Sequence, residues 1–283
     1  MPHVQIDKWN IWYDEYGSGS LPVLLIPGAI GTAKSDYYEQ LDGDDILDED
    51  KFTIIAVDPP GCGRSRPPVR KYGSNLYDID AQCLYQLMTH LGYESFAVIG
   101  WSDGATAALW MACKYPKAIT KMVISSVVAY PDTKVLSALK AMGSVDKWPK
   151  QRLDNYLRSY TSKEELQKLW DKYLMFYEHI KTYFASDTNE SVYKFINFPV
   201  LILRGDKDNI TSMSHSEYVL NRIKSAVMYR LPNGGHDLHQ RYSPMFKTTV
   251  EDFLVNNVLP KGCQQDMVPI TCDFDCITSG NAG

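Results

Sequence analysis

Residues 98–106 read VIGWSDGAT, with Ser102 centred between Gly100 and Gly104 and an acid, Asp103, directly after it. A serine hydroxyl attacks a carbonyl only when a base removes its proton, so this stretch asks for a histidine elsewhere. Six are present: His3, His90, His179, His215, His236 and His239. His3 sits too near the terminus. His90 ends a helical stretch, where a cation suits the helix dipole, and His179 and His215 fall inside helical stretches. His236 follows an apolar run in the Gly-rich turn PNGGHDLHQ, and it is the base selected. An imidazole needs an acid to orient it. The stretch LRGDKDNI offers Asp206 and Asp208; Asp208, three residues past Gly205, is the choice and Asp206 the reserve.

Two backbone N–H groups must also meet the negative oxygen that forms on the attacked carbonyl. One should be the amide of Asp103, the residue after the nucleophile. The other should come from PGAIG (27–31), with Ala29 the expected donor. The Asp103 side chain has two readings. An acid in the first turn of a helix is favoured by about 0.3–1 kcal/mol and needs no further reason. Alternatively, it waits for a cation on the substrate, because an unpaired carboxylate beside a developing oxyanion would oppose it. No metal is expected: His236 and His239 lie about one turn apart, but no carboxylate ligand set accompanies them. The turn DPPGCGRS (58–65) is Gly-rich, yet no phosphate-loop Lys-Ser/Thr follows it, so it reads as a structural turn beside the site.

These residues need a scaffold that brings distant turns together. Apolar runs of strand length occur at 23–27, 52–58, 96–100, 122–126, 200–206 and 227–232. Several are continuously apolar, as strands of a parallel sheet covered on both faces are. Helical stretches fall between them near 75–91, 104–115, 213–224 and 244–256, and residues 3–9 and 11–16 read as an antiparallel hairpin at one edge. The alternation predicts an α/β layer fold. Ser102 then sits on a strand–turn–helix junction, where G-x-S-x-G is informative. The rhythm breaks between 131 and 195, which reads as helices only (135–142, 150–160 and 162–185). This stretch is crowded with aromatics, among them Trp148, Tyr156, Tyr160, Trp170, Tyr173, Phe176, Tyr177, Tyr183 and Phe184. An all-helical insertion between two strands predicts a cap over the sheet's C-terminal edge, with most of its aromatics in its own core and two or three facing a ligand. The expected division is a core of 1–130 and 196–257, a cap of 131–195 and a loosely attached tail of 258–283.

The chain has 283 residues, 45% hydrophobic and 22% charged, with a formal net charge of −5. That length buries enough apolar surface to fold without disulfides or metals. With Lys and Arg not in excess, nucleic acid is not expected as a partner. No apolar stretch approaches the roughly 18–20 residues needed to span a bilayer. The start, MPHVQIDKWN, has neither a secretory nor an Arg-rich leader pattern, so cytoplasm is the expected compartment and a monomer the default. Cys62, Cys83 and Cys113 are spread through the body as reduced thiols would be. Cys263, Cys272 and Cys276 have the numbers for one disulfide, and Cys272-x-x-x-Cys276 lacks the second pair that a metal site needs.

With Ser102, Asp208 and His236 in that chain order, the sequence resembles the α/β-hydrolase superfamily over residues 1–257. The stretches GWSDG, DPPGCGRSRPP, ACKYP, KMVIS, LILRGDKD and GGHDLHQRY are similar to the valacyclovir hydrolase (biphenyl hydrolase-like) family of α-amino acid ester hydrolases. The resemblance implies an α/β-hydrolase fold with a mostly parallel sheet of about eight strands. It also implies Ser102 as nucleophile, Asp208 as acid, His236 as base and Asp103 as the residue that recognises the substrate's α-ammonium group, with no cofactor. A lactonase, thioesterase or C–C bond hydrolase would use the same triad, and a non-catalytic ligand-binding protein on this scaffold is the remaining rival. The tail finds no counterpart, the insertion matches in layout more than in residues, and the family's usual mitochondrial leader is not apparent.

Overall fold

The computed structural model describes residues 3–184 and 190–259. The expectations for the tail and its three cysteines therefore lie almost wholly outside the described residues. Eight strands form one sheet: β1 (His3–Ile6), β2 (Trp9–Tyr16), β3 (Leu21–Ile26), β4 (Phe52–Val57), β5 (Phe96–Trp101), β6 (Ile119–Ser125), β7 (Val200–Gly205) and β8 (Ala226–Leu231). Their order is β1-β2-β4-β3-β5-β6-β7-β8. β1 and β2 pair antiparallel, as do β2 and β4, and the remaining neighbours pair parallel. Burial follows from sequence. β1 alternates exposed and buried positions as an edge strand does, while every residue of β4, β5 and β7 is buried, as continuous apolar runs require when helices cover both faces.

Helices α1 (Ala33–Asp36), α2 (Tyr38–Leu41), α3 (Leu76–His90) and α4 (Asp103–Lys114) fall among the first strands. Helices α5 (Thr133–Ala141), α6 (Lys150–Leu157) and α7 (Lys163–Phe184) lie between β6 and β7, with 3-10 turns at Val145–Lys147 and Glu190–Phe195. Helices α8 (Met213–Leu220), α9 (Leu238–Arg241) and α10 (Ser243–Asn256) complete the chain. One face of the sheet is packed by Leu84 and Leu87 of α3, Met111 of α4 and Val219 of α8. Phe246, Val250 and Phe253 of α10 pack the other. Each such side chain, fully buried, contributes about 1.5–3 kcal/mol.

The chain runs from β3 to β4 on one side of β3 and then returns to β5 on the other. Strand order therefore reverses between β3 and β5, and the loops leaving their C-terminal ends diverge to open a crevice. PGAIG lies in the loop after β3, and GWSDG spans the junction from β5 to α4. The expected elements agree with the structure to within a few residues. The exceptions are α1, α2 and α9, each of four residues, which are too short to show a helical period.

Candidate functional site

β5 ends at Trp101 and α4 starts at Asp103, so Ser102 alone makes the turn. Its backbone sits at φ 55°, ψ −118°, a region that costs a non-glycine residue about 1–3 kcal/mol. The surroundings enforce it. Ser102 N–H donates to the Ser125 carbonyl at 2.9 Å, extending the β5–β6 ladder by one residue. A Cβ on Gly104 would stand 2.2 Å from the Ile26 carbonyl oxygen, and one on Gly100 would stand 2.6 Å from that of Gly104. Only glycine lets the helix start this close to β3.

His236 arrives from the loop after β8 and Asp208 from the loop after β7. These loops touch: a Cβ on Gly205 would lie 2.4 Å from the Gly234 carbonyl oxygen, and Lys207 N–H donates to that oxygen at 2.8 Å. His236 Nε2 lies 3.0 Å from Ser102 Oγ, and His236 Nδ1 lies 3.0 and 3.1 Å from the Asp208 carboxylate oxygens. The Asp208 side chain is fully buried and accepts from the amides of Ile210 and Thr211 at 2.9 Å each, from Thr211 Oγ1 at 2.6 Å and from Arg204 at 3.1 Å. Burial pushes its pKa up, but the charge of His236 and hydrogen bonds from His236 and Thr211 outweigh it and hold the carboxyl well below the usual range. An ionised Asp208 fixes the proton on Nδ1, leaving Nε2 free to accept the serine proton. Asp206, the reserve, pairs with Arg230 at 2.9 Å on the surface. The His236 carbonyl accepts from Trp101 Nε1 and Ser126 Oγ, each at 2.7 Å.

The Asp103 amide opens α4, where N–H groups have no partner within the helix. Facing it, a Cβ on Gly28 would lie 3.5 Å from Ser102 Cβ, so the loop containing Ala29 abuts the serine. Asp36 clamps this loop. Its Oδ2 accepts from Gly28 N–H at 2.8 Å, and a Cβ on Gly31 would come within 2.1 Å of the same oxygen. Burial raises the Asp36 pKa to about 6 against the hydrogen bonds of Gly28 and Ser35. From the opposite side, Tyr156 donates to the Ala29 carbonyl at 3.4 Å and Tyr160 to that of Ile30. His239 is fully buried, its Nε2 donating to the Asp36 carbonyl at 2.9 Å, and burial lowers its pKa to about 4. It supports the loop rather than joining His236. Among the described residues, no group of three or more His, Cys, Asp or Glu side chains is arranged to hold a metal ion.

Asp103 is only 7% exposed. Its Oδ1 accepts from Tyr77 at 2.6 Å and from Tyr173, on α7, at 3.1 Å. Burial raises its pKa, and the two tyrosine hydrogen bonds and Arg70 work in the other direction. Tyr72, whose ring lies 6.1 Å from that of Tyr173, keeps a buried hydroxyl with no hydrogen-bond partner among the described residues.

The sequence comparison decides the family. Residues 22–179 match the family model described as alpha/beta hydrolase fold. The chain belongs to the α/β-hydrolase family. Residues 180–268 match a second model, TAP-like protein. This α/β hydrolase is 31% identical to the mouse protein "Serine hydrolase BPHL" over 251 residues, 89% of this chain and 85% of that one. It is 26% identical to a 2-hydroxy-6-oxononadienedioate/2-hydroxy-6-oxononatrienedioate hydrolase of Pseudomonas putida over 269 residues, 87% of this chain and 91% of that one. In structure it superposes on a serine hydrolase from Cycloclasticus zankles with a TM-score of 0.68 at 18% identity, covering 89% of this chain and 96% of that chain. The fold is thus that of the α/β hydrolases, and the enzyme class is hydrolase.

Several residues that shape this hydrolase's site carry little signal in sequence. Arg204 is visible only as a cation inside the apolar run LILRGD. Asp36 and Thr211 look like ordinary turn residues until the loops around them are folded.

Proposed function

We propose that this hydrolase cleaves carboxylic esters, preferentially those of α-amino acids, through an acyl-enzyme on Ser102. His236 takes the serine proton as Oγ bonds to the carbonyl carbon, and Asp208 stabilises the resulting imidazolium. The amides of Ala29 and Asp103 receive the oxyanion. His236 then hands its proton to the departing alcohol oxygen as the C–O bond breaks, and water deacylates the enzyme by the same route. In this reading residues 131–195 are a cap over a core of 1–130 and 196–257. The three free thiols of the body accord with a reducing compartment such as the cytoplasm.

The observation that carries the amino-acid preference is the buried carboxylate directly after Ser102. A negative charge about 4–6 Å from the forming oxyanion opposes it by roughly 3 kcal/mol at an effective dielectric near 20. That is a handicap for a neutral ester. An α-ammonium placed between the two charges reverses its sign and fixes the carbonyl over Ser102. Tyr77 and Tyr173 both donate to one oxygen of Asp103, which orients the other oxygen for a cation. The test compares an amino acid ester with its des-amino analogue on wild type and Asp103→Asn. The wild type is expected to prefer the amino ester, and the variant to lose about 10- to 150-fold of that preference in kcat/KM, the range of a charge-assisted hydrogen bond. An unchanged ratio sinks the ammonium role. The Pseudomonas putida relative's name favours a second reading, C–C bond hydrolysis, which a substrate panel including such dienedioates and also lactones and thioesters separates. Absence of Ser102 labelling by a fluorophosphonate would favour a non-catalytic binding protein.

A further inference from the structure

We propose that the cleft beside His236 is a subsite for a leaving group carrying an anionic oxyacid, a carboxylate or a phosphate; this rests on the esterase reading above. A cleft of about 710 Å³ opens along His236 and Trp101 and is walled by Trp148 and Tyr156. The same cleft takes in four cations, Lys147, Arg152, Lys207 and Arg241, in a chain whose net charge is −5. Arg241 is tied to Asp237 at 2.9 Å. Among the described residues no carboxylate lies within salt-bridge distance of Lys147, Arg152 or Lys207, though the charge of Arg152 is felt by the buried Asp36. The Arg152 guanidinium stacks 4.5 Å over the Trp148 ring and 5.7 Å from that of Tyr156, which holds its plane in a fixed position. Its Nε and the Trp148 indole N–H are both buried without a hydrogen-bond partner among the described residues. The stacked Arg152 guanidinium and the Lys147 and Lys207 ammonium groups, all lining the cleft, supply positive charge for an anion.

Position assigns this site to the leaving group. His236 Nε2 delivers its proton to the departing atom, so the group on the His236 side is the alcohol. Asp103, Tyr77 and Tyr173 do not line this cleft. The substrate class that follows is an α-amino acyl ester whose alcohol portion bears a carboxylate or phosphate, cationic at one end and anionic at the other.

The experiment measures kcat/KM for benzyl, 4-carboxybenzyl, 4-phosphonobenzyl and 4-aminomethylbenzyl esters of one amino acid. At low ionic strength the carboxybenzyl or phosphonobenzyl ester is expected to exceed the benzyl ester by about tenfold or more, mainly through KM, with the advantage shrinking as salt rises. The carboxylate and phosphonate arms tell the two sources of charge apart. Lys147→Gln and Lys207→Gln together, both at exposed positions, and Arg152→Gln separately, are expected to bring the ratio toward one. An anionic-to-neutral ratio of one or less in the wild type overturns the proposal while leaving the esterase reading intact. Should no ester turn over, the esterase reading fails by itself, and calorimetric titration of 4-(hydroxymethyl)benzoate against benzyl alcohol into the Ser102→Ala protein still decides the anion site. Binding of the benzoate about tenfold tighter supports it, and equal binding overturns it.

Discussion

Two aspartates lie two residues apart after β7, and only one touches the imidazole. Asp208 accepts from His236, Thr211, Ile210 and Arg204, whereas Asp206 makes an exposed pair with Arg230. Asp208→Asn is expected to lower kcat by about 10³- to 10⁴-fold, because the amide forces the wrong tautomer on His236. Asp206→Asn is expected to stay within a few-fold, since an exposed ion pair contributes about 0–1 kcal/mol. Steady-state kinetics on the two variants checks the contrast, and equal losses would refute the assignment. Ser102→Ala is expected to abolish fluorophosphonate labelling, read by mass spectrometry, and to cut kcat by about 10⁴- to 10⁶-fold. At this scale much was legible beforehand, because Ser102, Asp103, Asp208 and His236 announce themselves by type and by the turns they occupy. Arg204, Thr211 and Asp36 did not. Their roles depend on which carboxylate or amide the fold sets beside them, and nothing in local spacing encodes that.

At the scale of elements, the elbow depends on the closeness of α4 to β3. A methyl at position 104 would enter the space of the Ile26 and Pro27 carbonyl oxygens, at 2.2 and 2.4 Å, and backbone cannot yield cheaply there. Gly104→Ala is expected to destabilise the protein by about 1–3 kcal/mol, the cost of overpacking, and to lower kcat by moving Ser102. Denaturant unfolding and kinetics on one preparation read both effects, and an unperturbed variant would contradict the crowding. The strands were readable here because parallel strands buried on both faces are continuously apolar, and α3, α4 and α10 because their apolar positions recur at helical spacing. The four-residue helices α1 and α9 were not, although they carry Asp36 and His239 and so hold up the loop after β3.

For the molecule as a whole, that buried couple shapes acid stability in opposing ways. Asp36 has its pKa raised from 3.8 to about 6. Across that window the unfolded chain has released its proton and the folded chain keeps it, so this contribution falls as pH rises. His239 has its pKa lowered from 6.5 to about 4. Between those values the unfolded chain takes up a proton that the folded chain refuses, so this contribution rises with pH. Each amounts to roughly 3 kcal/mol, and they offset one another in the overlap. Relative to wild type, Asp36→Asn is expected to gain stability as pH rises from about 4 to 6, and His239→Gln to lose it, both read by urea unfolding along a pH series. Parallel shifts in the two variants would refute the compensation. The helical segment between β6 and β7 is tied into the same region. Tyr156 and Tyr160 hold the carbonyls of Ala29 and Ile30, Ser159 Oγ lies 2.9 Å from Thr32 Oγ1, and Arg66 pairs with Glu165. A displacement of that segment wide enough to admit a bulky ester would break these contacts and slacken the Ala29 loop. If that segment covers the entrance, as the proposed reading has it, loading and reaction would be successive steps, because the contacts that open the entrance are the ones that hold the Ala29 loop.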